Sequence, residues 1–244
     1  MTAETRETKD TVGLHTLEVI AKADRFNHWM YDQFKSNLKG EVLEIGSGIG
    51  NISQLVIDDG FNITLSDYNE EYCETLMHKF SDDKNVRAIL QIDLLHADFE
   101  NQYAELLGRF DSIFLLNVIE HIEDDELSIK NCKYLLKSGG HLIVLAPANS
   151  SLYCNLDKEL GHHRRYSLST LTSLLRKAEF NIMSGSYFNF TGIAGWWFFG
   201  KIMKRKKIGG EMAAFNGIVP IAKFIDKLIG KHAGLSIIIT GVKQ

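Results

Sequence analysis

The feature that most constrains this chain is an apolar strand that runs straight into three closely spaced glycines. Residues 41–51 read EVLEIGSGIGN, and a helical stretch starts near Asn51. Because glycine has no Cβ, the loop at Gly46, Gly48 and Gly50 allows a nucleotide-like ligand to press against the backbone. Such a loop between a strand and a helix is typical of the ligand crevice at the carboxyl edge of a Rossmann-like α/β sheet.

The spacing of the glycines and the acid before them limit the class of ligand that this loop can bind. The glycines follow a GxGxG pattern rather than the GxGxxG pattern of dinucleotide-binding proteins. Glu44 lies two residues before Gly46, and a carboxylate there favours a cationic amino group over a pyrophosphate. Ser47 lies inside the loop and is expected to contact the same ligand.

Apolar runs and amphipathic stretches alternate along the chain, which predicts a parallel sheet covered by helices on both faces. We predict a single α/β domain with a doubly wound, seven-stranded sheet. A leading helix spans Val12 to Leu38, Gly139 and Gly140 cap a helix over 127–136, and Ser167 caps a later helix. The predicted strands cover residues 42–45, 63–65, 88–92, 112–116, 142–146, 180–187 and 235–242.

The predicted domain has four parts, which differ in their patterning. They are an N-terminal helical segment at 1–39, a ligand-binding core at 40–188, a helical insertion at 189–234 and a final strand at 235–244. Within the core, residues 148–165 form an irregular polar segment of a length seldom found in compact domains without a role. This segment is a candidate lid or substrate loop.

Two later carboxylates complete the predicted crevice. Asp67 ends the second strand about twenty residues past the glycine loop, where a carboxylate can accept both hydroxyls of a ribose. Asp93 follows the third strand. Taken alone, either acid fits a solvated strand end or a helix cap, but their joint spacing favours a nucleoside ligand.

On these residues the chain resembles the class I S-adenosylmethionine-dependent methyltransferases. The resemblance covers roughly residues 40–188 and implies a sheet whose last strand is antiparallel. It implies S-adenosylmethionine as cofactor and S-adenosylhomocysteine as product. The cofactor-binding residues that it implies are Glu44, Gly46, Ser47, Gly48 and Gly50 for the methionine part, Asp67 for the ribose, Asp93 for the adenine amine, Tyr68 and Leu94 beside the ring, and Asn117.

The fourth predicted strand runs into the sequence NVIEH at 117–121. This stretch resembles the one that passes behind the cofactor and faces the substrate in small-molecule methyltransferases. The resemblance implies that Asn117 contacts the cofactor and that His121 points toward the acceptor. Structural burial of His121, with its ring bonded to backbone, is the alternative interpretation.

The implied reaction is in-line attack of an acceptor nucleophile on the sulfonium methyl group, with the two held about 3 Å apart. We expect no metal. A hydroxyl, phenol or activated-carbon acceptor must lose a proton, and histidine suits this task. His121 and His163 are the candidate bases, whereas an amine or carboxylate acceptor needs none.

Residues 161–167 read GHHRRYS and are expected near the mouth of the crevice. Arg164 can clamp a carboxylate or phosphate, and Tyr166 can orient an acceptor. The GHxRRYS pattern also resembles a bacterial subgroup of these methyltransferases, some fused to glycosyltransferases, which implies a small-molecule or lipid-linked acceptor. Tyr153 and Trp29 complete the predicted acceptor-binding set. A solvated basic turn and, for Trp29, core packing are the alternatives.

The insertion carries an aromatic and basic segment. Residues 191–207 read TGIAGWWFFGKIMKRKK, a pattern typical of contact with a lipid interface. Residues 218–229 predict an amphipathic helix. Burial in the core and peripheral contact with an anionic membrane both explain this helix, and both stay open.

The net charge and the cysteines limit the kinds of partner that we expect for this chain. The formal net charge of −4 gives no global attraction to nucleic acid. Cys73, Cys132 and Cys154 form no CxxC pair, so neither a zinc site nor a disulfide framework is predicted. With a polar N-terminus, these features predict a cytoplasmic protein, placed at the inner face of a membrane in the membrane interpretation.

Two other functions stay open. A nicotinamide-dependent oxidoreductase would have the same crevice and could also use Asp67 to bind a ribose. The GxGxG spacing and Glu44 disfavour this function. A catalytically inactive cofactor-binding adaptor would bind the same nucleoside without turnover.

Overall fold

The chain forms a seven-stranded sheet with helices on both faces. We describe it from a computed structural model, which covers the backbone of residues 3–229 and 232–244 and, within these ranges, the side chains from residue 11 onward. The strands are β1 (Glu41–Ile45), β2 (Asn62–Asp67), β3 (Val86–Gln91), β4 (Phe110–Leu116), β5 (Leu136–Pro147), β6 (Phe180–Phe188) and β7 (Ser236–Lys243). The helices are α1 (Ala3–Ala21), α2 (Asp24–Asp32), α3 (Ser53–Asp58), α4 (Glu70–Phe80), α5 (Phe99–Gln102), α6 (Asp125–Leu135), α7 (Asn155–Glu159), α8 (Leu168–Lys177), α9 (Phe190–Trp196) and α10 (Glu211–Ile229).

The sheet has the strand order β3-β2-β1-β4-β5-β7-β6. Strands β1 to β5 pair in parallel, and β7 lies antiparallel between β5 and β6. The predicted Rossmann-like fold with an antiparallel last strand is confirmed. Because the strand order reverses between β1 and β4, a ligand crevice is expected where these two neighbouring strands end.

The sheet separates two apolar layers. In β5, Leu142 and Val144 face one layer, and Ile143 and Leu145 face the other. This follows from the alternation of side chains along a strand. All four side chains are fully buried. A strand covered on both faces reads as a continuous apolar run, and this is why the central strands could be predicted.

The leading segment consists of two helices rather than the single helix predicted from Val12 to Leu38. The chain breaks at Ala23, which is buried and whose carbonyl accepts the backbone N–H groups of Phe26 and Asn27. The break allows α2 to pack its apolar face against the sheet while α1 takes another direction. The continuous helix is therefore wrong, because tertiary packing interrupts it.

The glycines that follow α6 lie in an irregularity of β5 rather than in the predicted helix cap. Helix α6 ends because Leu136 adopts extended backbone and pairs with Phe110 of β4. The pairing register then shifts before His141, and Gly139 lies between them at a φ of +74°. Strand pairing ends the helix, so the predicted glycine cap is wrong.

The segment 148–165 contains a 3₁₀ turn at Ser150–Leu152 and the short helix α7. Buried Arg165 ties this segment together, because its Nε donates to Asp157 Oδ1 at 2.8 Å and its Nη1 donates to the carbonyl of Ala148 at 2.9 Å. The chain then enters α8, where the hydroxyl of Ser167 accepts the N–H of Thr170 at 3.0 Å. The predicted cap at Ser167 is confirmed.

The insertion between β6 and β7 contains α9, a π-helical turn at Trp197–Ile202 and α10. Asp226 of α10 accepts the N–H of Phe190 at 2.8 Å, which ties the two helices together. Asn216 of α10 accepts the N–H of Phe26 in α2 at 3.1 Å. Across residues 3–229 and 232–244, no helix combines the length and the apolar character needed to cross a membrane.

Candidate functional site

The glycine loop turns sharply at the carboxyl end of β1. The N–H groups of Gly46 and Ser47 both donate to the carbonyl of Ser66 in β2, at 2.8 Å each. Gly46 has a φ of +74°, and a Cβ at this position would overlap Cγ2 of Val118, which follows β4. Glycine is therefore required twice here, once by the backbone conformation and once by the close approach of the next strand's loop.

Asp67 lies against the same loop, as its spacing predicted. Its Oδ2 accepts the N–H of Gly48 at 2.9 Å, and its Oδ1 accepts the N–H of Asn69 at 2.9 Å. Helix α1 covers the loop from the other side, because the side chain of Leu17 lies against Gly48 and the Leu17 carbonyl accepts Nδ2 of Asn51 at 3.0 Å. The crevice is thus bordered by β1, β2 and α1.

Glu44 is a buried carboxylate beneath the glycine loop. Its side chain accepts a hydrogen bond from the hydroxyl of Ser53, and the residue is 4% exposed. Burial raises the pKa of Glu44 to about 7, although Ser53, Ser47 and the charge of Lys79 act in the opposite direction. A cation bound beside Glu44 would favour the ionised carboxylate.

The residues predicted to hold a base ring lie at the ends of β2 and β3. Asp93 accepts the N–H of Leu95 at 2.8 Å through Oδ1, and its own N–H donates to the hydroxyl of Tyr103 at 3.0 Å. Tyr68 has an exposed ring, whereas Leu94 is 4% exposed and packs in one of the apolar layers. Leu94 thus packs within the protein at this end of the sheet, and its place beside the base ring stays a prediction.

Asn117 marks the end of β4 with a φ of +54°, which is uncommon for a residue other than glycine. Its N–H donates to the carbonyl of Leu145 at 2.9 Å, and the residue is exposed. This conformation directs the next residue, Val118, onto Gly46. Asn117 therefore lies beside the glycine loop, although the two segments are far apart in the sequence.

A cluster of polar side chains follows directly in a 3₁₀ turn at Ile119–His121. Glu120 is fully buried, and within the described part of the chain neither carboxylate oxygen accepts a hydrogen bond from another residue. Burial raises the pKa of Glu120 to about 8. His121 is exposed, and its ring meets the ring of His162 edge-on, with centroids 4.7 Å apart.

His162 is the member of this cluster that sequence analysis missed. Its Nδ1 lies 2.9 Å from Oδ1 of Asp157, and its Nε2 lies 3.9 Å from Oε1 of Glu120. Burial acts to raise the pKa of Asp157, but the bonds to His162 and Arg165 outweigh it and hold that pKa below its usual value. Asp157 is thus an ionised acceptor, and His162 donates its Nδ1–H to it. The only sequence signal was the closeness of Asp157 and His162 across α7.

The other residues of the GHHRRYS segment have partners within the protein. Arg164 forms an ion pair with Asp125 at 2.8 Å, and the hydroxyl of Tyr166 donates to the same carboxylate at 2.8 Å. Tyr166 is 5% exposed, and burial raises its pKa. Tyr166 is therefore a buried structural residue, which contradicts its predicted role in orienting an acceptor. The guanidinium of Arg164 is already engaged rather than open as a clamp.

The remaining predicted residues are divided between the cluster and the core. Tyr153 donates its hydroxyl to the carbonyl of His162 at 2.7 Å, so it supports the cluster. His163 is exposed, and its N–H donates to the carbonyl of Glu120 at 2.7 Å. Trp29 is 3% exposed and packs edge-on against Phe188, with ring centroids 5.6 Å apart. Trp29 is a core residue, which contradicts its predicted contact with an acceptor.

Comparisons with known proteins match this arrangement of fold and crevice. A family model described as a methyltransferase domain matches residues 21–184. The crystal structure of a SAM dependent methyltransferase from Archaeoglobus fulgidus has a TM-score of 0.58 and 18% sequence identity, and the match covers 89% of this chain and 94% of that one. The shared fold therefore extends over nearly the whole of both chains.

Two curated relatives match shorter stretches. A ubiquinone biosynthesis O-methyltransferase from Caulobacter sp. (strain K31) is 31% identical over 111 residues, which cover 46% of this chain and 42% of that protein. Fumosorinone synthetase from Cordyceps fumosorosea (strain ARSEF 2679) is 24% identical over 161 residues, which cover 64% of this chain and 3% of that protein. The chain spans less than half the length of either relative.

The contact between Gly46 and Val118 predicts a sharp difference between two glycine substitutions. Gly46→Ala and Gly60→Ala both place a side chain at positive φ, but a Cβ at position 60 meets nothing within 4 Å. We expect G60A to cost about 1–2 kcal/mol of stability and to retain cofactor affinity. G46A should cost more and weaken S-adenosylmethionine binding at least tenfold. Urea unfolding and titration calorimetry measure both effects, and equal losses for the two variants would contradict the contact.

The raised pKa of Glu44 predicts that binding of a cationic ligand releases a proton. In the ligand-free protein the folded state keeps the proton on Glu44 up to a pH of about 7, whereas the unfolded chain loses it near the ordinary value of 4.5, so stability falls as the pH rises between these values. A bound ammonium group reverses this preference and expels the proton. Calorimetry of S-adenosylmethionine binding at pH 6.5 should show heats that depend on the buffer's ionisation enthalpy. Glu44→Gln should abolish this dependence, and Glu41→Gln on the same strand should retain it.

Proposed function

This chain belongs to the methyltransferase-domain family, with S-adenosylmethionine as its cofactor, and we propose from this premise that it methylates a hydroxyl group of a small or lipid-linked acceptor. The acceptor oxygen attacks the sulfonium methyl group, the carbon–sulfur bond breaks, and S-adenosylhomocysteine leaves as a neutral thioether. The acceptor's proton must leave as the new bond forms. The fold supplies a place for this step beside the cofactor crevice.

The observation that carries this proposal is the oriented polar cluster after β4. Asn117 and Val118 connect the glycine loop to Glu120 and His121 within a few residues, so donor and acceptor regions share one strand end. His162 is held by Asp157 in one tautomer. A hydroxyl needs such groups to lose its proton, whereas a neutral amine or a carboxylate does not.

The candidate bases differ in their surroundings. His121 lies in the cluster, edge-on to His162, and we retain it as an acceptor-side residue. His163 is exposed, and its backbone N–H donates to the carbonyl of Glu120. We therefore add His162 to the proposed site and place His163 second to it. The Caulobacter relative, named as an O-methyltransferase, supports the same choice of acceptor atom.

Methyl-transfer assays test the acceptor atom. With radiolabelled S-adenosylmethionine, we expect transfer to phenolic and catecholic acceptors, and no transfer to the same compounds with the hydroxyl replaced by hydrogen. His162→Ala should lower kcat by about 100-fold or more and leave cofactor affinity unchanged. His78→Ala, an exposed histidine on α4, is the matched control.

Three results would overturn the proposal. Methylation of amines in place of hydroxyls would reject the acceptor atom. Binding of S-adenosylmethionine without turnover on any acceptor would favour the inactive adaptor. Binding of a nicotinamide dinucleotide in its place would favour an oxidoreductase.

The insertion supports a lipid-linked acceptor. Along α10, Ile221, Phe224 and Leu228 are 62%, 61% and 71% exposed, at a spacing that places them along one side of the helix. In the π-helical turn, Trp197 and Phe198 are also exposed. This exposure contradicts the interpretation that the amphipathic helix is buried through these residues. Exposed apolar side chains of this extent mark an interaction surface.

Charge favours an anionic membrane as the partner of this surface. The exposed aromatic residues are followed by the basic run KRKK at 204–207, and basic residues near a bilayer bind anionic headgroups. Trp196 packs its ring over the guanidinium of Arg165 at 4.6 Å, and Arg165 holds Asp157. The surface therefore adjoins the acceptor side of the site. We propose that the protein takes its acceptor at the membrane.

Vesicle flotation tests this membrane proposal. The protein should float with vesicles rich in phosphatidylglycerol at low salt, and less so with purely zwitterionic vesicles or at high salt. Ile221→Asp with Leu228→Asp should abolish flotation. Leu107→Asp, at a residue 57% exposed and outside the insertion, should float normally. Equal flotation of both variants, or no flotation of the unaltered protein, would reject the membrane contact.

A further inference from the structure

The cluster after β4 has the composition of a metal site. Glu120, His121 and His162 each offer a ligand atom, and these three atoms lie within 4.8 Å of one another. Two imidazoles and one carboxylate suit Zn²⁺, Mn²⁺ or Fe²⁺. Sequence analysis predicted no metal, because it considered the cysteines and had no reason to bring His162 beside Glu120.

The burial of Glu120 without a hydrogen-bond partner is an independent observation that points to a cation ligand in this cluster. A fully buried carboxylate needs a counter-charge or hydrogen bonds, and within residues 3–229 and 232–244 Glu120 has no bond from another residue. Nε2 of His162 lies 3.9 Å from its Oε1. With Nδ1 protonated, this Nε2 carries a lone pair rather than a proton. When Glu120 is ionised, two electron-pair donors thus face each other, which is an arrangement that a bound cation stabilises.

The surroundings of His162 are those of a metal-binding histidine. Metal-bound histidines usually donate their other ring N–H to a carboxylate, which fixes the tautomer and makes the ligand nitrogen more basic. Asp157 takes this part at 2.9 Å, and it also accepts Arg165 Nε at 2.8 Å and the N–H of Cys154 at 2.9 Å. The charge of Asp157 is therefore balanced by Arg165, which leaves the charge of Glu120 for a cation.

We propose that Glu120, His121 and His162 bind one divalent transition-metal cation, and that this cation holds the acceptor's hydroxyl oxygen beside the methyl group. This assignment rests on the proposed hydroxyl methylation. Ligands of one such ion lie at most about 4 Å apart, so the separation of Glu120 and His162 already fits, and exposed His121 closes the site by a small rotation. A metal held there would lower the pKa of the bound hydroxyl, and because Nε2 of His162 would then be a ligand rather than a base, the proton would pass to water as the oxygen attacks.

Metal titration of the full chain tests the site without relying on activity. After treatment with a chelator, Co²⁺ should bind one-to-one with the visible spectrum of a nitrogen–oxygen site, and Zn²⁺ should displace it. Glu120→Gln and His121→Ala should each weaken binding at least tenfold. Asp157→Asn should weaken it by about 10–100-fold. Glu123→Gln, an exposed acid three residues from Glu120, should bind as the unaltered protein does.

The affinity for S-adenosylmethionine serves as the folding control, because E120Q and H121A should leave it unchanged. If no metal binds at micromolar concentration, or if E120Q binds it normally, the metal site is rejected. Full hydroxyl methylation after chelation would also reject it while leaving the proposed function intact. A bound metal together with no transfer to any hydroxyl would instead reject the proposed function and keep the site.

Discussion

The close contact between Gly46 and Val118 is the constraint on which the rest of the site depends. It joins the loops that follow two neighbouring parallel strands, β1 and β4, where the order of the sheet reverses. One loop is the predicted cofactor-binding loop, and the other leads within two residues to Glu120. Methyl transfer requires the reacting atoms to lie about 3 Å apart. A larger residue at position 46 would push the two loops apart, so this packing contact fixes the distance between the predicted cofactor site and the cluster that contains Glu120.

Several carboxylates near this contact are buried, and the charges and hydrogen bonds around them differ. Asp157 is compensated by Arg165 and His162, so its pKa stays low. At Glu44 and Glu120 the opposing hydrogen bonds and charges are weaker than the effect of burial, which raises the pKa of both. Uncompensated buried acids lower the stability of a protein when they ionise. Their place beside the crevice and beside the histidines is consistent with two cationic partners that arrive from outside.

Features set by local sequence could be predicted, and features set by distant pairing could not. The apolar strands, the glycine loop, Asp67 and the cap at Ser167 each follow from neighbouring residues. The ion pair of Arg164 with Asp125 and the bond between Asp157 and His162 depend on how α7 docks, which no periodicity encodes. Tertiary contacts also explain the predictions that were wrong. Strand pairing stopped α6 at Leu135, and packing placed Trp29 in the core.

Helix α1 has a consequence for the catalytic cycle. The side chain of Leu17 lies against Gly48, and the Leu17 carbonyl accepts a hydrogen bond from Asn51. Helix α1 therefore covers the region where the methionine part of the cofactor is expected. Any cofactor that passes beneath α1 requires this helix to move, and the rate of that movement would limit turnover whatever the rate of the methylation step.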